Sequence, residues 1–370
     1  MRKGESINGY LILEDFRVAG GRSKVSFARK NGRDFFIKEF LSPKYPLPDS
    51  PGSEKIKERK RKDCIEFEKH HKTLNEAISR KCSFGGNLVF AVDFFRVGAC
   101  YYKVTEKIDC TSLSVLDISR LSFNEILLIS KTVAHSIMIL HDLNIVHGDL
   151  KPDNILIKKV PASYSGKLID FDDSFFSKNP PKNREDLVGT PEYYSPEQFL
   201  YITDEDEVIS GETLTCKSDI FTLGIILHEY FSGEKPVFNS RYGSLCSAVI
   251  NHASVTVSSK IKSESIRQMI TRMIQLDPNA RPTIGEVFRI LKNAKEDPGR
   301  PKEHGPILSD GPIDIPKEPP RIKGTLVKKM EEIASKSVKK EDEGSKSLEE
   351  KKSVKSSSLR ISSSLRKVSE

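Results

Sequence analysis

The chain has 370 residues, of which 37% are hydrophobic and 30% charged, with a formal net charge of +8. That is enough apolar material for a sizeable core in about two packed units, which excludes a wholly disordered chain. The positive balance admits nucleic acid, acidic membranes or anionic small molecules as partners, although much of it lies in local runs.

In chain order, the opening "MRKGESINGY" has no apolar signal-type run, and no stretch approaches about 18 uninterrupted apolar residues. The six cysteines, Cys64, Cys82, Cys100, Cys110, Cys216 and Cys246, contain no CxxC pair and read as reduced thiols. A soluble, intracellular, cytoplasmic protein without a spanning segment is therefore expected. Residues 10–108 look strand-rich. Asn31-Gly32, between "VSFA" and "DFFIKEF", signals a hairpin. "LVFAVDFF" and "CYYKVTEKI" read as two more strands, and Glu54 to Ser79 as a helix behind the Pro-rich "SPKYPLPDSPG". Residues 112–294 look mainly helical. Ile126, Ile129, Val133, Ile137 and Leu140 recur at intervals of 3 and 4 as one apolar stripe, and "SDIFTLGIILHEYF" is apolar nearly all round, as a central buried helix would be. From about Glu296 the text is Pro-, Lys-, Glu- and Ser-rich and cannot bury enough apolar surface to offset chain entropy, so 296–370 is expected to be disordered. A small β lobe, a larger α lobe and a cleft between them result.

"IVHGDLKPDNILI" places Asp149, Lys151, Asp153 and Asn154 between two short apolar runs. Pro152 excludes one continuous helix, so the polar residues sit on a loop held at both ends by packed strands. An isolated Asp or Asn in a loop is ordinarily turn chemistry. Here "HGDLKPDN" resembles the catalytic loop HRDLKPxN of the eukaryotic-type serine/threonine protein kinases. Six fixed residues would match by chance on the order of 10⁻⁵ times in such a chain. The resemblance runs from about Tyr10 to Ala294, with the motifs in the family's order.

The resemblance implies an α+β bilobal protein-kinase fold. Its domain spans 10–295, with a small lobe at 10–108 and a large lobe at 109–295, preceded by an N-terminal segment 1–9. It also implies ATP and Mg²⁺ as cofactors and a protein Ser/Thr hydroxyl as substrate. Asp149 and Lys151 take the catalytic places, Lys151 being the serine/threonine form of the motif, and Asn154 and Asp170 of "LIDFDD" take the metal places. "VAGGRSKVSFA" resembles the glycine-rich loop, which assigns Arg17, Val18, Ala19, Gly20, Gly21, Arg22, Ser23, Lys24 and Val25 to ATP. Gly20 matches the second glycine, whereas Val18 and Ser23 stand where the first and third would be. Lys38 matches the phosphate-holding lysine, and its ion-pair partner is expected from the following helix: Glu68, with Glu66 as the alternative. Thr105 matches the gatekeeper, and Glu106 to Ile108 the hinge that bonds adenine. "VGTPEYYSPE" resembles the end of the activation segment, with Ser195 replacing an alanine. Thr190, a Glu197–Arg281 pair and Asp219 read as structural.

Two positions depart from the family. Gly148 replaces the arginine of HRD, which removes the electrostatic partner of an activation-segment phosphate, so activity is expected not to require that phosphate. Asp172 replaces the glycine of DFG, and Asp173 follows it. With the reduced glycine loop, this raises the alternative of a pseudokinase, a nucleotide-binding interaction scaffold. The presence of Lys38, Asp149, Asn154 and Asp170 favours the active enzyme. The basic run "KIKERKRKD" reads as the solvated start of a helix rather than a nucleic-acid patch. Ser362, Ser363 and Ser369, each two or three residues after Arg360 or Arg366, form a candidate autophosphorylation region, against the plainer reading of a solubilising tail.

Overall fold

The structure, a computed structural model, describes residues 2–19, 22–82, 86–109, 113–161, 163–181, 184, 187, 189–204 and 208–297. The tail beyond 297, with its serines, and Gly20, Gly21 and Cys110 lie outside the described residues. Residues 2–239 and 245–297 form one compact unit, and Ser240–Ser244 belongs to a second. Every β-strand and α-helix among the described residues belongs to the first unit.

Seven strands form one antiparallel sheet: β1 (Ser6–Ile7), β2 (Tyr10–Ile12), β3 (Arg17–Ala19), β4 (Ser23–Lys30), β5 (Arg33–Phe40), β6 (Ala91–Val97) and β7 (Cys100–Glu106). The order is β1-β2-β4-β5-β7-β6, with β3 also on β4. The hairpin between β4 and β5 turns on Asn31 and Gly32 at φ 51° and 75°. Two successive positive φ angles define the tight turn whose twist matches the strands, and Asn-Gly tolerates them at low cost. Helix α1 (Glu54–Ser79) starts at an N-cap where Ser53 accepts from the Ile56 amide at 3.4 Å. Its buried positions, Cys64, His71, Leu74 and Ile78, and the half-buried Phe67 trace one 3/4-spaced stripe toward the sheet. The strand expected from Leu88 starts at Ala91 instead. Leu88 and Val89 are drawn off to the large lobe, where the Val89 amide donates to Leu168 O at 2.9 Å.

The large lobe comprises α2 (Val115–Ser119), α3 (Phe123–Asp142), the strands β8 (Ile145–Val146), β9 (Ile155–Val160), β10 (Ser163–Leu168) and β11 (Phe175–Phe176), then α4 (Pro196–Thr203), α5 (Cys216–Ser232), α6 (Leu245–Ile250), α7 (Glu264–Met273) and α8 (Ile284–Asn293). Reciprocal bonds between Ser122 and Glu125 start α3, and its five-residue apolar stripe is at most 4% exposed. By length and composition α3 alone among the described helices could cross a membrane. Here its apolar face is buried in the core against α5, α8 and β10. Burying each such side chain stabilises by about 1.5–3 kcal/mol. Helix α5 is buried from Ser218 to Phe231. At Gly224 a Cβ would lie 2.9 Å from Met273 Cβ, so only glycine allows α7 to approach so closely.

Glu197, at the start of α4, and Arg281, before α8, form a bidentate pair at 2.7 and 2.8 Å. The guanidinium also donates to the carbonyls of Gln275, Leu276 and Lys217, and Ser218 donates to Glu197. The Arg281 side chain is fully buried. Its satisfied donors offset the desolvation of the charge. Replacing Glu197 by Gln strands that cation, and Glu197→Gln is expected to cost about 3–5 kcal/mol in urea unfolding. A loss below about 1 kcal/mol would show that the pair does not staple the lobe.

Candidate active site

The loop from His147 to Asn154 is suspended between β8 and β9. Asp219, on the first turn of α5, accepts from the amides of His147 at 2.8 Å and Gly148 at 3.3 Å, and from His141 Nε2 at 3.0 Å. Gly148 adopts φ +82°, and a Cβ there would stand 2.4 Å from the carbonyl oxygen of Asp173. The position therefore accepts neither arginine nor alanine, so the departure from HRD has a steric cause as well as an electrostatic consequence. Its carbonyl accepts from Gln198 Nε2 at 3.0 Å, a bond that no sequence motif announces.

On this loop Asp149 gathers three partners. Lys151 Nζ donates to Oδ2 at 2.8 Å, Thr190 Oγ1 to Oδ1 at 3.0 Å, and Asn154 Nδ2 to the carbonyl at 2.7 Å. Lys151 also reaches Thr190 Oγ1 at 2.9 Å. Thr190 thus locks the activation segment to the loop, and the structure brings Asp149, Lys151, Asn154 and Thr190 together.

The second half of the site sits under the sheet. Lys38 in β5 donates to both carboxylate oxygens of Asp170 at 2.8 and 2.9 Å and to Asp172 Oδ2 at 2.8 Å. Lys103 in β7, directly opposite Lys38 in the ladder, bonds Asp172 Oδ1 and lies 3.3 Å from Asp170 Oδ1. Burial lowers the Lys38 ammonium's affinity for its proton, but Asp172 and Asp170 more than reverse this and raise its pKa. Burial likewise opposes ionisation of Asp172, yet Lys103 and Lys38 hold its carboxyl well below the usual range. Lys103 was not foreseen. The signal was present: a lysine within the apolar "YYKVT" raises the same burial question as Lys38.

The expected Lys38–Glu68 pair is not formed. Glu68 lies beside the buried stripe of α1 and accepts from Tyr101 Oη at 2.8 Å, with Arg96 and Lys72 each 3.9 Å away. Glu66 is exposed. Two α1 residues come near the site: His70, which interacts with Ser174 and Asp172, and His71, stacked 4.9 Å from the Phe94 ring at 21° and drawn out of water. Burial pushes the pKa of His71 down to about 3, so it is a neutral imidazole.

Of the glycine-rich segment, Arg17, Val18 and Ala19 form β3, Arg22 precedes β4, and Ser23, Lys24 and Val25 are its first three residues. Val18 is 66% exposed, while Ser23 and Val25 are buried. Arg22 reaches down to Asp173 at 3.1 Å. Burial raises the Asp173 carboxyl to about 7 against the pull of Arg22, with Asp172, Asp149 and Asp170 adding to the rise. Thr105 and Glu106 close β7, Ile108 follows them, and Glu106 lies 3.9 Å from Lys167.

Asn154 turns its amide nitrogen to Asp149, which points its oxygen the other way, and the Asp170 side chain is one-third exposed. No cluster of three or more His, Cys, Asp or Glu suited to a metal occurs among the described residues. One or two carboxylates and an amide oxygen fit Mg²⁺, which is commonly held jointly by protein and substrate phosphates.

The antiparallel sheet thus contributes a buried lysine, and the loops of the helical lobe bring carboxylates, Asp149 on one and Asp170 on the other, to the same side. The protein kinase domain family matches residues 54–291, well over half of the chain, and the chain belongs to that family. The chain is similar to the ovarian-specific serine/threonine-protein kinase Lok of Drosophila melanogaster, 34% identical over 47% of this chain and 34% of that protein. It is 31% identical to the phosphorylase b kinase gamma catalytic chain, liver/testis isoform, of Homo sapiens, over 55% of this chain and 45% of the relative. To the serine/threonine-protein kinase PknA of Corynebacterium glutamicum it is 29% identical over 45% and 33%. The chain thus spans a third to a half of the length of these relatives.

Two substitutions check this geometry. Gly148→Ala combines a left-handed backbone, costing about 1–2 kcal/mol, with a clash, so thermal unfolding is expected to drop by several degrees. An unchanged midpoint would contradict the backbone described. Glu68→Gln keeps an acceptor for Tyr101 and is expected to leave the KM for Mg-ATP within about twofold. A rise of tenfold or more would restore α1 as the partner of Lys38.

Proposed function

We propose that the chain is an ATP-dependent serine/threonine protein kinase that transfers the γ-phosphate to a hydroxyl of a protein Ser or Thr. One observation carries the reading: Asp149, bonded to Lys151 and Thr190, shares a cleft with Lys38 bonded to Asp170. In this reading Asp149 accepts the proton of the incoming hydroxyl while the new P–O bond forms and the bond to the β-phosphate breaks. Lys151 balances charge at the phosphoryl group. Lys38 holds the α- and β-phosphates, Arg17 to Val25 cover them, and the backbone from Glu106 to Ile108 bonds adenine beside Thr105. Asn154 and Asp170 would hold Mg²⁺, which supplies charge neutralisation across the phosphates. Lys151 and the "GTPEYYSPE" segment support a serine/threonine substrate, and Ser362, Ser363 and Ser369 of the tail are the proposed intramolecular acceptors.

The competing reading, a nucleotide-binding scaffold without transfer, is favoured by the Asp172 carboxylate placed between the two lysines. Labelled ATP with general acceptor proteins separates the two. Wild type should incorporate phosphate, also on its own tail, and a chain ending at residue 297 should lose the tail signal. Asp149→Asn and Asp170→Asn should each lower incorporation by at least about 10²-fold. Nucleotide binding by the wild type without incorporation would select the scaffold.

A further inference from the structure

The ladder register sets two ammonium groups against each other. Lys38 and Lys103 are directly opposed on β5 and β7, with side chains only 13% and 10% exposed. Like charges at such positions repel, and burial adds to the cost. Two carboxylates of the "DFD" segment offset it, and they divide the work unevenly. Asp170 remains one-third exposed and binds mainly Lys38, whereas the Asp172 side chain is 14% exposed and bridges both lysines. No α1 carboxylate bonds either lysine; the helix brings His71, packed against Phe67, Phe94 and Phe40, and its neighbour His70 toward the cluster, and burial lowers the pKa of both imidazoles. The ionic anchor of Lys38 therefore lies on the activation segment and not on the helix.

We infer that Asp172 and Lys103 are positioning residues that together replace a helix-borne glutamate as the fixed counter-charge of Lys38. Neither touches the reacting atoms. Asp172 holds Lys38 at the cleft, and Lys103 neutralises the charge that Asp172 adds. Asp170 is thereby spared from serving as the sole partner of two buried cations, and its side chain stays one-third exposed. The inference rests on the reading of the cleft as a nucleotide site. It also gives the aspartate at the glycine position of DFG a function, since its two oxygens bond one lysine each.

A double-mutant cycle tests the pairing, with Mg-ADP binding by calorimetry and the KM for Mg-ATP as readouts. Lys103→Met leaves Asp172 competing with Asp170 for Lys38. Asp172→Gly leaves Lys103 competing with Lys38 for Asp170. Each single variant should weaken Mg-ADP binding about tenfold, and the double variant should bind more tightly than either, because coupled charges are not additive. Losses that multiply in the double variant would overturn the inference. If the double variant does not fold, Lys103→Arg against Lys103→Met decides: retention by Arg alone supports the pairing, and equal behaviour overturns it. A merely structural role would shift unfolding without separating these binding constants. A wild type that binds no Mg-ADP removes the nucleotide reading itself, whereas binding with an additive cycle removes only this inference.

Discussion

Two opposed ammonium groups beneath a β sheet are the constraint around which the site is built. Nothing in a sheet tolerates them unless negative charge arrives from outside it. Here it arrives on residues 170 and 172, two positions apart, with Asp170 in the left-handed region at φ 63°. The sheet's charges thus fix where the start of the activation segment docks. Buried ion pairs of this kind add little net stability, because desolvation consumes much of the Coulomb gain. Their effect is geometric: the placement of the segment gives each of the four groups an opposite charge. Helix α1 is held differently, through the rings of Phe40, Phe67, His71, Phe94 and Tyr101, which pack at centroid distances of 4.3–6.3 Å.

The large lobe meets this docked segment with backbone. Asp219 fixes the amides of His147 and Gly148 from below, Gln198 fixes the Gly148 carbonyl, and Ser174 donates to the His147 carbonyl at 2.9 Å. The close passage of the Asp173 carbonyl over Gly148 leaves no volume for a side chain. Loop and segment therefore interlock by hydrogen bonds and close approach, in a place where an arginine would have needed both space and a phosphate. The Glu197–Arg281 pair supports the same region by pinning α4, which carries Gln198, to the chain before α8.

Much of this was legible in the residues. The Asn31-Gly32 turn, the bounds of α1, the stripe of α3 and the buried α5 follow from periodicity and turn chemistry. Asp149, Lys151, Asn154, Thr190, Asp219 and the Glu197–Arg281 pair follow from motif spacing, because each lies within a short segment whose partners recur in order. Lys103 and the partner of Lys38 were not legible in the same way, since both depend on register between distant strands and on which helix face turns inward. The 64-67-71-74-78 spacing of α1 puts His71, not Glu68, in the buried stripe. Leu88 and Val89 read as strand because their apolarity is real. Their partner is Leu168 of the other lobe, which no local pattern could reveal.

The two departures have a common consequence. A protein kinase can be held inactive by moving its helix so that the lysine loses its glutamate, or by leaving the catalytic arginine without its phosphate. Gly148 removes the arginine, and the backbone above it forbids its return. With Lys103 and Asp172 as positioning residues, the lysine draws its counter-charge from the same segment that carries Asp170, so displacing α1 does not by itself unpair it. Both levers would have acted through long-range docking of one charged element on another. In this chain Lys38 is paired with the DFD turn, and the loop at Gly148 interlocks with the backbone of that same turn. On the other side of the segment, Arg22, its side chain more than half exposed, reaches Asp173 at 3.1 Å, so the DFD turn and the residue after it are tied to the sheet side by three cations, Lys38, Lys103 and Arg22.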